Sequence, residues 1–314
     1  MRFFLLSAIF VITAFFAISL TAPPKKAEIK PSIKTPPAVS ENADQPPPAP
    51  EVTEEKPPAV TVGVLNPKIE TGETLVAEFS EAPTAVFFDG KEVKPFSYQE
   101  SFRALIPLSL GTKTGNYVLK ANFKNSTSVE EIISLSEKRQ KIIILPPPPQ
   151  LGLSDKQIVQ NLSTSNTDLR KVVAEVEEIT RFAEEFSLPV DDSFLISSPF
   201  GEVRRTGEES ITHLGTDFDV PKGTAVKAIN SGKVEKAYVD SIYGNSVIIN
   251  HGWGIYSLYL HLDSMKVSAG NSVEKGQVVG LSGNSGLSSA PHLHLSLKIN
   301  GASVDPIQFI NTFK

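Results

Sequence analysis

Five histidines and no cysteine stand in this chain of 314 residues, and four of the histidines fall where a metal ion or a proton transfer could use them. His213 and Asp217 form an H-x-x-x-D pair, with Gly215 between them to permit a turn. His292 and His294 form an H-x-H pair within Ala290-Pro291-His292-Leu293-His294-Leu295, and His261 sits in Tyr259-Leu260-His261-Leu262. With no thiolate to offer, a metal site here must use imidazole and carboxylate. Two histidine nitrogens and one carboxylate oxygen suit Zn2+. Three protein ligands leave a fourth position for water, as in catalytic zinc sites. A metal lowers the pKa of such a water towards ~7 and polarises a carbonyl beside it. A nearby imidazole, of ordinary pKa ~6.5, can take the proton and pass it to a leaving amine.

These side chains need a frame. Read as a strand, Pro291–Ile299 puts His292, His294 and Ser296 on one face and Leu293, Leu295, Leu297 and Ile299 on the other. The apolar face packs on a core and the two imidazoles enter one cleft. Their spacing lets one ligate a metal while the other stands near the bound water. Each motif alone is weak; together, on a glycine-rich β background, they make a functional site. His251, in Asn250-His251-Gly252, reads as a strand cap bonded to backbone. Asp219 shares a strand face with Asp217 and supports a ligand or lies at the surface. Arg204 and Arg205 could clamp a carboxylate, but a structural salt bridge is the plainer reading.

From residue 193 to 314 short β runs and glycines predict an antiparallel sheet folded over on itself. Gly223-Thr224-Ala225-Val226 before Gly232, and Gly270-Asn271-Ser272-Val273 before Gly276 and Gly280, suggest a duplicated hairpin unit. Upstream, 146–192 opens on Pro146–Pro149, continues with a capping-box pattern at Ser154-Asp155-Lys156-Gln157, and carries Leu169, Val172, Val173, Val176, Ile179, Phe182, Ala183 and Phe186 at helical spacing. That predicts an amphipathic linker helix ending before Pro189, packed between two domains or lying over the site. Residues 59–145 hold six β-rich runs, Val60–Leu65, Thr74–Phe79, Ala85–Phe88, Phe102–Leu108, Tyr117–Phe123 and Lys141–Leu145. The turn signal Asp89-Gly90 is among those that separate them. They predict an immunoglobulin-like β-sandwich with no catalytic constellation of its own.

Residues 23–58, rich in Pro, Ala, Glu and Lys, form a semi-extended spacer. Residues 1–22 begin Met1-Arg2 and run apolar from Phe3 to Ala22, about the ~20 residues that span a bilayer, so they read as an export signal or a retained single-span anchor. A formal net charge of -5 argues against a nucleic-acid partner.

The motifs together resemble the lysostaphin-type, or LytM-like, zinc metallopeptidases that cut peptidoglycan. The resemblance covers about Ser197–Pro306. It is carried by Ser198-Pro199-Phe200-Gly201, His213-Leu214-Gly215-Thr216-Asp217-Phe218, Gly223-Thr224-Ala225-Val226, Gly244-Asn245-Ser246-Val247, Tyr259-Leu260-His261-Leu262, Ser282-Gly283-Asn284-Ser285-Gly286 and Pro291-His292-Leu293-His294. It implies a mainly β fold, with a C-terminal antiparallel β metallopeptidase domain built as a duplicated hybrid motif. It also implies His213, Asp217 and His294 as zinc ligands, and His261 and His292 as general base and stabiliser of the tetrahedral intermediate. Ala290 replaces a glycine common at that point, which touches the turn rather than the metal. The implied substrate is a peptide bond in peptidoglycan stem peptides or cross-bridges, in the periplasm or cell envelope. The alternative is a catalytically silent wall-binding protein or activator of other hydrolases; the intact ligand set counts against it.

Overall fold

The computed structural model describes residues 60–144 and 155–313, apart from 67, 125, 192, 207 and 208. The apolar run of 1–22, the spacer of 23–58, the prolines at 146–149 and the capping serine at 154 lie outside the described residues. The protein is mainly β.

Residues 62–136 form two facing sheets. One orders Val62–Val64, Thr74–Phe79, Ser101–Pro107 and Phe96–Tyr98; the other orders Ile69–Glu70, Ser128–Ser136, Gly115–Asn122, Ala85–Phe88 and Lys91–Val93. Asp89 and Gly90 both take positive φ, 49° and 76°, which is what a two-residue hairpin of right-handed twist requires. Inside lie Leu75, Ala77, Phe79, Val86, Leu119, Ile133 and Leu135. Strand Thr74–Phe79 is buried on its other face too. Val76, with Leu105, Phe96 and Tyr98, belongs to the core of the C-terminal part. The sandwich thus docks by the back of one sheet.

The sixth β-rich run does not join the sandwich. Ile142–Ile144 pairs in parallel with Val203–Thr206, which pairs with Glu209–Thr212, so it is part of the wall around the site. Alternation of side chains predicts a strand but not its partner. Strand Ser128–Ser136 lacks a clear alternating pattern. Its Glu130-Glu131-Ile132-Ile133 core masks the alternation, since Ile132 is exposed and Ile133 buried.

The C-terminal part is built on an eight-stranded antiparallel sheet. Its order is Ile196–Ser198, Thr216–Phe218, Leu293–Ile299, Ile255–Leu262, Gly244–Gly252, Gly232–Asp240 and Ser272–Val273, with Ala302–Val304 beside Leu293–Ile299. A three-stranded sheet of Ala225–Lys227, Val278–Leu281 and Ser264–Met265 folds against it. The two suspected repeats exchange partners. Ala225–Lys227 pairs with Val278–Leu281, and Gly232–Asp240 pairs with Ser272–Val273, the cross-pairing a duplicated unit produces. One face of the large sheet, with Val247, Ile249, Tyr259, Leu293, Leu295 and Leu297, forms the main core. The other face presents Ile248, Tyr256, Leu258 and Leu260, partly covered by Leu169 and Val173.

The linker helix starts where the capping pattern pointed but is displaced from the predicted periodic stretch. It spans Asp155–Val172, and residues 173–190 leave it as an irregular strap. Along the strap Trp253 N–H donates to Glu177 O, Arg181 N–H to His251 O and Ser187 N–H to Ile229 O. Those bonds between strap and sheet ends are open to extended chain, whereas an α-helix would have kept its carbonyls and amides to itself. The apolar spacing is not realised as a helical face: Phe182 and Phe186 are buried with Phe309 and Phe313, while Val176 and Ile179 are exposed. Tertiary pairing overrides local periodicity here.

Candidate metal centre

Asp217 and His294 are directly opposite each other in neighbouring antiparallel strands, Thr216–Phe218 and Leu293–Ile299. Opposed residues share a face, so register alone brings the two side chains together. His213 precedes the first of these strands and is held by its backbone, donating to Glu202 O at 2.8 Å and accepting from Gly201 N–H at 2.8 Å. The result is a buried triangle. His213 Nε2 lies 3.0 Å from Asp217 Oδ1 and 3.0 Å from His294 Nδ1, and His294 Nδ1 lies 2.8 Å from Asp217 Oδ1. Gly215 lies at a bend just before the strand, as its spacing suggests, and its lack of a side chain is needed there too. A Cβ there would sit 2.3 Å from His294 Nε2 and 2.7 Å from Leu295 O.

Hydrogen bonds on the far side of each ring set where the protons are. His213 Nδ1 is 3.1 Å from Pro199 O and 3.2 Å from Ser198 Oγ, so it carries the hydrogen and Nε2 is left with its lone pair. The single hydrogen of Ser296 goes to Leu214 O at 2.9 Å, so its oxygen can only accept from His294 Nε2, 2.9 Å away. That leaves a lone pair on His294 Nδ1. Two imidazole lone pairs and a carboxylate oxygen therefore converge on one point. Such an arrangement repels itself unless a cation sits between the donors. Ligand atoms around a tetrahedral zinc-sized ion stand roughly 3.3 Å apart, from bond lengths of ~2.0–2.1 Å, so this triangle opens by only a few tenths of an ångström to take one.

The second oxygen of Asp217 accepts from Arg204 Nη2 at 2.6 Å, and the same nitrogen donates to Ser198 Oγ at 2.8 Å. Ser198 Oγ–H in turn donates to the buried Glu202 at 2.5 Å. Arg204 is a salt-bridge residue, and the carboxylate it holds is one of the three candidate ligands. Arg205 is exposed, and Asp219 is exposed at the cleft mouth. Ser198, Glu202 and Ser296 were not assigned these roles from sequence. Ser296 shows itself through alternation, whereas Ser198 stands in a motif that carries the resemblance but nothing in the chain gives it or Glu202 a role beside His213.

His261 and His292 complete the cluster. A β-bulge between Gly244–Gly252 and Ile255–Leu262 falls at His261, whose φ is +59°. The extra residue and left-handed backbone turn the ring towards the cleft. Its Nδ1–H donates to Ser285 O at 2.8 Å, leaving Nε2 free to accept. His292 Nδ1 is 2.9 Å from Ala290 O, and its Nε2 is 3.7 Å from Asp217 Oδ1. The two rings lie 4.9 Å apart, and His261 is 6.1 Å from the ring of His294. Burial, with His292 and His294 nearby, pushes His261 down to about 3, and burial chiefly pushes His294 down to about 4. Both rings favour the neutral state in which a lone pair is available.

His251 stays out of the cluster. It is fully buried, bonded to Ser231 O and Ser257 Oγ at 2.8 Å each, and packed on Phe186. The other four histidines and Asp217 open on a cleft of about 660 Å³ whose apolar walls include Leu162, Leu169, Leu258 and Leu260.

Three converging ligand atoms that could hold a metal ion, beside two further imidazoles on an antiparallel sheet, form a layout suited to metal-assisted hydrolysis. Residues 211–306 of this chain match the model of Peptidase family M23. An uncharacterized metalloprotease of Haemophilus influenzae is 42% identical over 123 residues, which are 38% of this chain and 26% of that protein. The peptidoglycan DD-endopeptidase ShyA of Vibrio cholerae is 38% identical over 122 residues, 38% of this chain and 28% of its own length. The matched part thus spans about a quarter of the length of these relatives. Among solved structures, a peptidase M23 candidate from Pseudomonas aeruginosa superposes with a TM-score of 0.59 at 27% identity, covering 79% of this chain and 98% of that one.

Proposed function

We propose that this protein is a zinc-dependent endopeptidase that hydrolyses peptide cross-links of cell-wall peptidoglycan. The observation that carries the proposal is the convergence of three lone pairs, on His213 Nε2, His294 Nδ1 and Asp217 Oδ1, beside two further imidazoles. His213, Asp217 and His294 would hold the ion, and a set of two nitrogens and one oxygen suits zinc. Zinc, when bound, supplies Lewis acidity that polarises a carbonyl and eases loss of a proton from water.

The protein's own residues do the rest. Ser198, Pro199 and Ser296 keep both liganding imidazoles in the required tautomer. Arg204 holds the second oxygen of Asp217 away from the triangle, leaving one oxygen for the ion. His261 and His292 each spend Nδ1–H on a backbone carbonyl and present Nε2 to the cleft. One accepts the proton of the attacking water and returns it to the leaving amine. The other, when it carries a second proton on Nε2, donates that N–H to the negative oxygen of the tetrahedral intermediate.

The substrate class is supported by the peptidoglycan endopeptidase among the relatives. In this reading residues 1–22 export the protein or anchor it, 23–58 hold it off the membrane, and the module of 59–145 and the linker of 146–192 carry the peptidase domain of 193–314 in the cell envelope. The test is incubation of purified protein with cell-wall sacculi, with and without chelator, followed by mass spectrometry of released muropeptides. Peptide-bond cleavage that chelator abolishes and zinc restores is the expected result. Binding to sacculi with no cleavage in the presence of zinc would refute it and leave a wall-binding or activator protein.

A further inference from the structure

The cleft continues past the metal centre. Strand Leu293–Ile299 presents every second residue to it: His294, then Ser296, then Lys298. Four residues at ~3.4 Å each place Lys298 ~13–14 Å along the strand from His294. There the cleft adjoins a second cavity of about 400 Å³, lined by Arg170, Lys298, Ser109 and Ser303 among others; Leu169, Leu214 and Lys298 border both.

Lys298 is only 9% exposed, and its amine donates to Ser303 Oγ. A buried ammonium is ordinarily paired with a carboxylate, because taking it out of water costs several kcal/mol otherwise. Among the described residues no carboxylate forms an ion pair with Lys298 or Arg170. The charge that Lys298 feels most is Arg170, of like sign; burial and that neighbour push its amine down to about 8. Two cations thus face an open cavity with hydroxyls beside them and, among the described residues, no carboxylate paired with either. The ammonium and guanidinium are the donor pair that recognises a carboxylate.

We propose that Lys298 and Arg170 form a substrate subsite that receives a carboxylate group of a peptide, about four residues of extended chain from the metal centre. The word substrate rests on the peptidase reading; the carboxylate site does not. An extended peptide covers ~3.3–3.6 Å per residue, so the recognised acid lies some four residues from the bond at the metal. The peptide therefore carries a free α-carboxylate or an acidic side chain at that remove.

The probe is stem peptide released from sacculi, compared with the same material after its carboxyls are converted to amides. Binding to metal-free full-length protein is measured by calorimetry, so that no turnover is required. The acid form is expected to bind at least about tenfold more tightly than the amide, the scale of one hydrogen bond to a charged group. Lys298→Met should abolish that preference, and Lys298→Arg, which keeps the charge, should retain it. Equal binding of acid and amide by wild-type protein, no binding of either, or an undiminished preference in Lys298→Met would overturn the subsite. Failure of the peptidase reading shows elsewhere, as sacculi left intact by zinc-loaded wild-type protein.

Discussion

Replacing Ser296 by alanine tests whether the centre is built to hold a metal, without touching a ligand. Ser296 is buried; its hydroxyl donates to Leu214 O and accepts from His294 Nε2, both at 2.9 Å. Alanine removes the acceptor. The Nε2–H then loses its protein acceptor, and on the Gly215 side, where even a Cβ would be 2.3 Å away, no water fits to replace the hydroxyl. An unsatisfied buried donor costs about 1–3 kcal/mol. The imidazole can escape that cost by moving its proton to Nδ1, but Nδ1 is the atom aimed at Asp217 Oδ1 and His213 Nε2, and protonation removes the lone pair it offers. Either way metal binding weakens. Loss of a partner of this kind typically lowers metal affinity by about 10–100-fold, or about 1.4–2.7 kcal/mol. The assay is competition for zinc against a chromophoric chelator at neutral pH, with circular dichroism to show that the variant is folded. Ser296→Thr keeps the hydroxyl and, being β-branched, suits a strand; it should bind zinc much as wild type does. A folded Ser296→Ala that binds zinc within about twofold of wild type would refute the tautomer argument, since that argument requires at least about tenfold.

The same titration applied to Gly215→Ala should show a larger loss than Ser296→Ala, because the new Cβ must displace His294 or the backbone at Leu295; unchanged affinity would mean that the close approach is not real. His251, buried and pushed down to about 4, should make stability fall on acidification. The unfolded chain takes up its proton below ~6.5 and the folded chain refuses it until about 4, so the contribution is intact above ~7 and is lost as pH falls from ~6.5 to ~4, to a limit of about 3 kcal/mol. Urea unfolding between pH 7.5 and 4.5, compared with His251→Gln to subtract other histidines, should give the shallower slope for the variant; equal slopes would contradict the assignment.

The candidate site was largely legible because its chemistry is concentrated in short motifs. His213-Leu214-Gly215-Thr216-Asp217 and His292-Leu293-His294 contain the three converging groups and one of the flanking imidazoles. Alternation correctly put His294 and Ser296 on one face with Leu293, Leu295 and Leu297 on the other. What no motif contains is the register that sets Asp217 opposite His294, or the bulge that turns His261 inward. Both are relations between strands far apart in the chain. Ser198, Glu202 and Arg204 act by meeting His213 and Asp217 in space, so their spacing carried no signal for their joint role. The strap of 173–190 departs from its sequence periodicity for a related reason. Its apolar residues recur at helical intervals, yet it gains more by pairing Arg181 with His251 O and burying Phe182 and Phe186 than by closing its own hydrogen bonds.

That strap changes how the sandwich relates to the cleft. Phe182 lies against Phe96 and Tyr98 of the sandwich on one side and Phe186 and Phe313 on the other. The Arg103 guanidinium sits 4.3 Å from the Tyr98 ring centre and 4.8 Å from that of Phe313, and Trp253 stacks on Phe96 at 5.2 Å. Polar ties run alongside: Thr74 N–H donates to Gln308 Oε1, Asp305 N–H to Gly72 O, and Lys138 pairs with Asp305 at 3.0 Å. One apolar core therefore runs from Val76 and Leu105 to Leu297 and Phe309. Interfaces that move are small and polar, and this one is aromatic and continuous. A rigid junction fixes Ser109, Leu110 and Gly111 of the sandwich across the cavity from Lys298 and Arg170. The sandwich thereby supplies a wall to the far end of the cleft, and a peptide long enough to reach from the metal centre to Lys298 would be bounded by both parts of the protein.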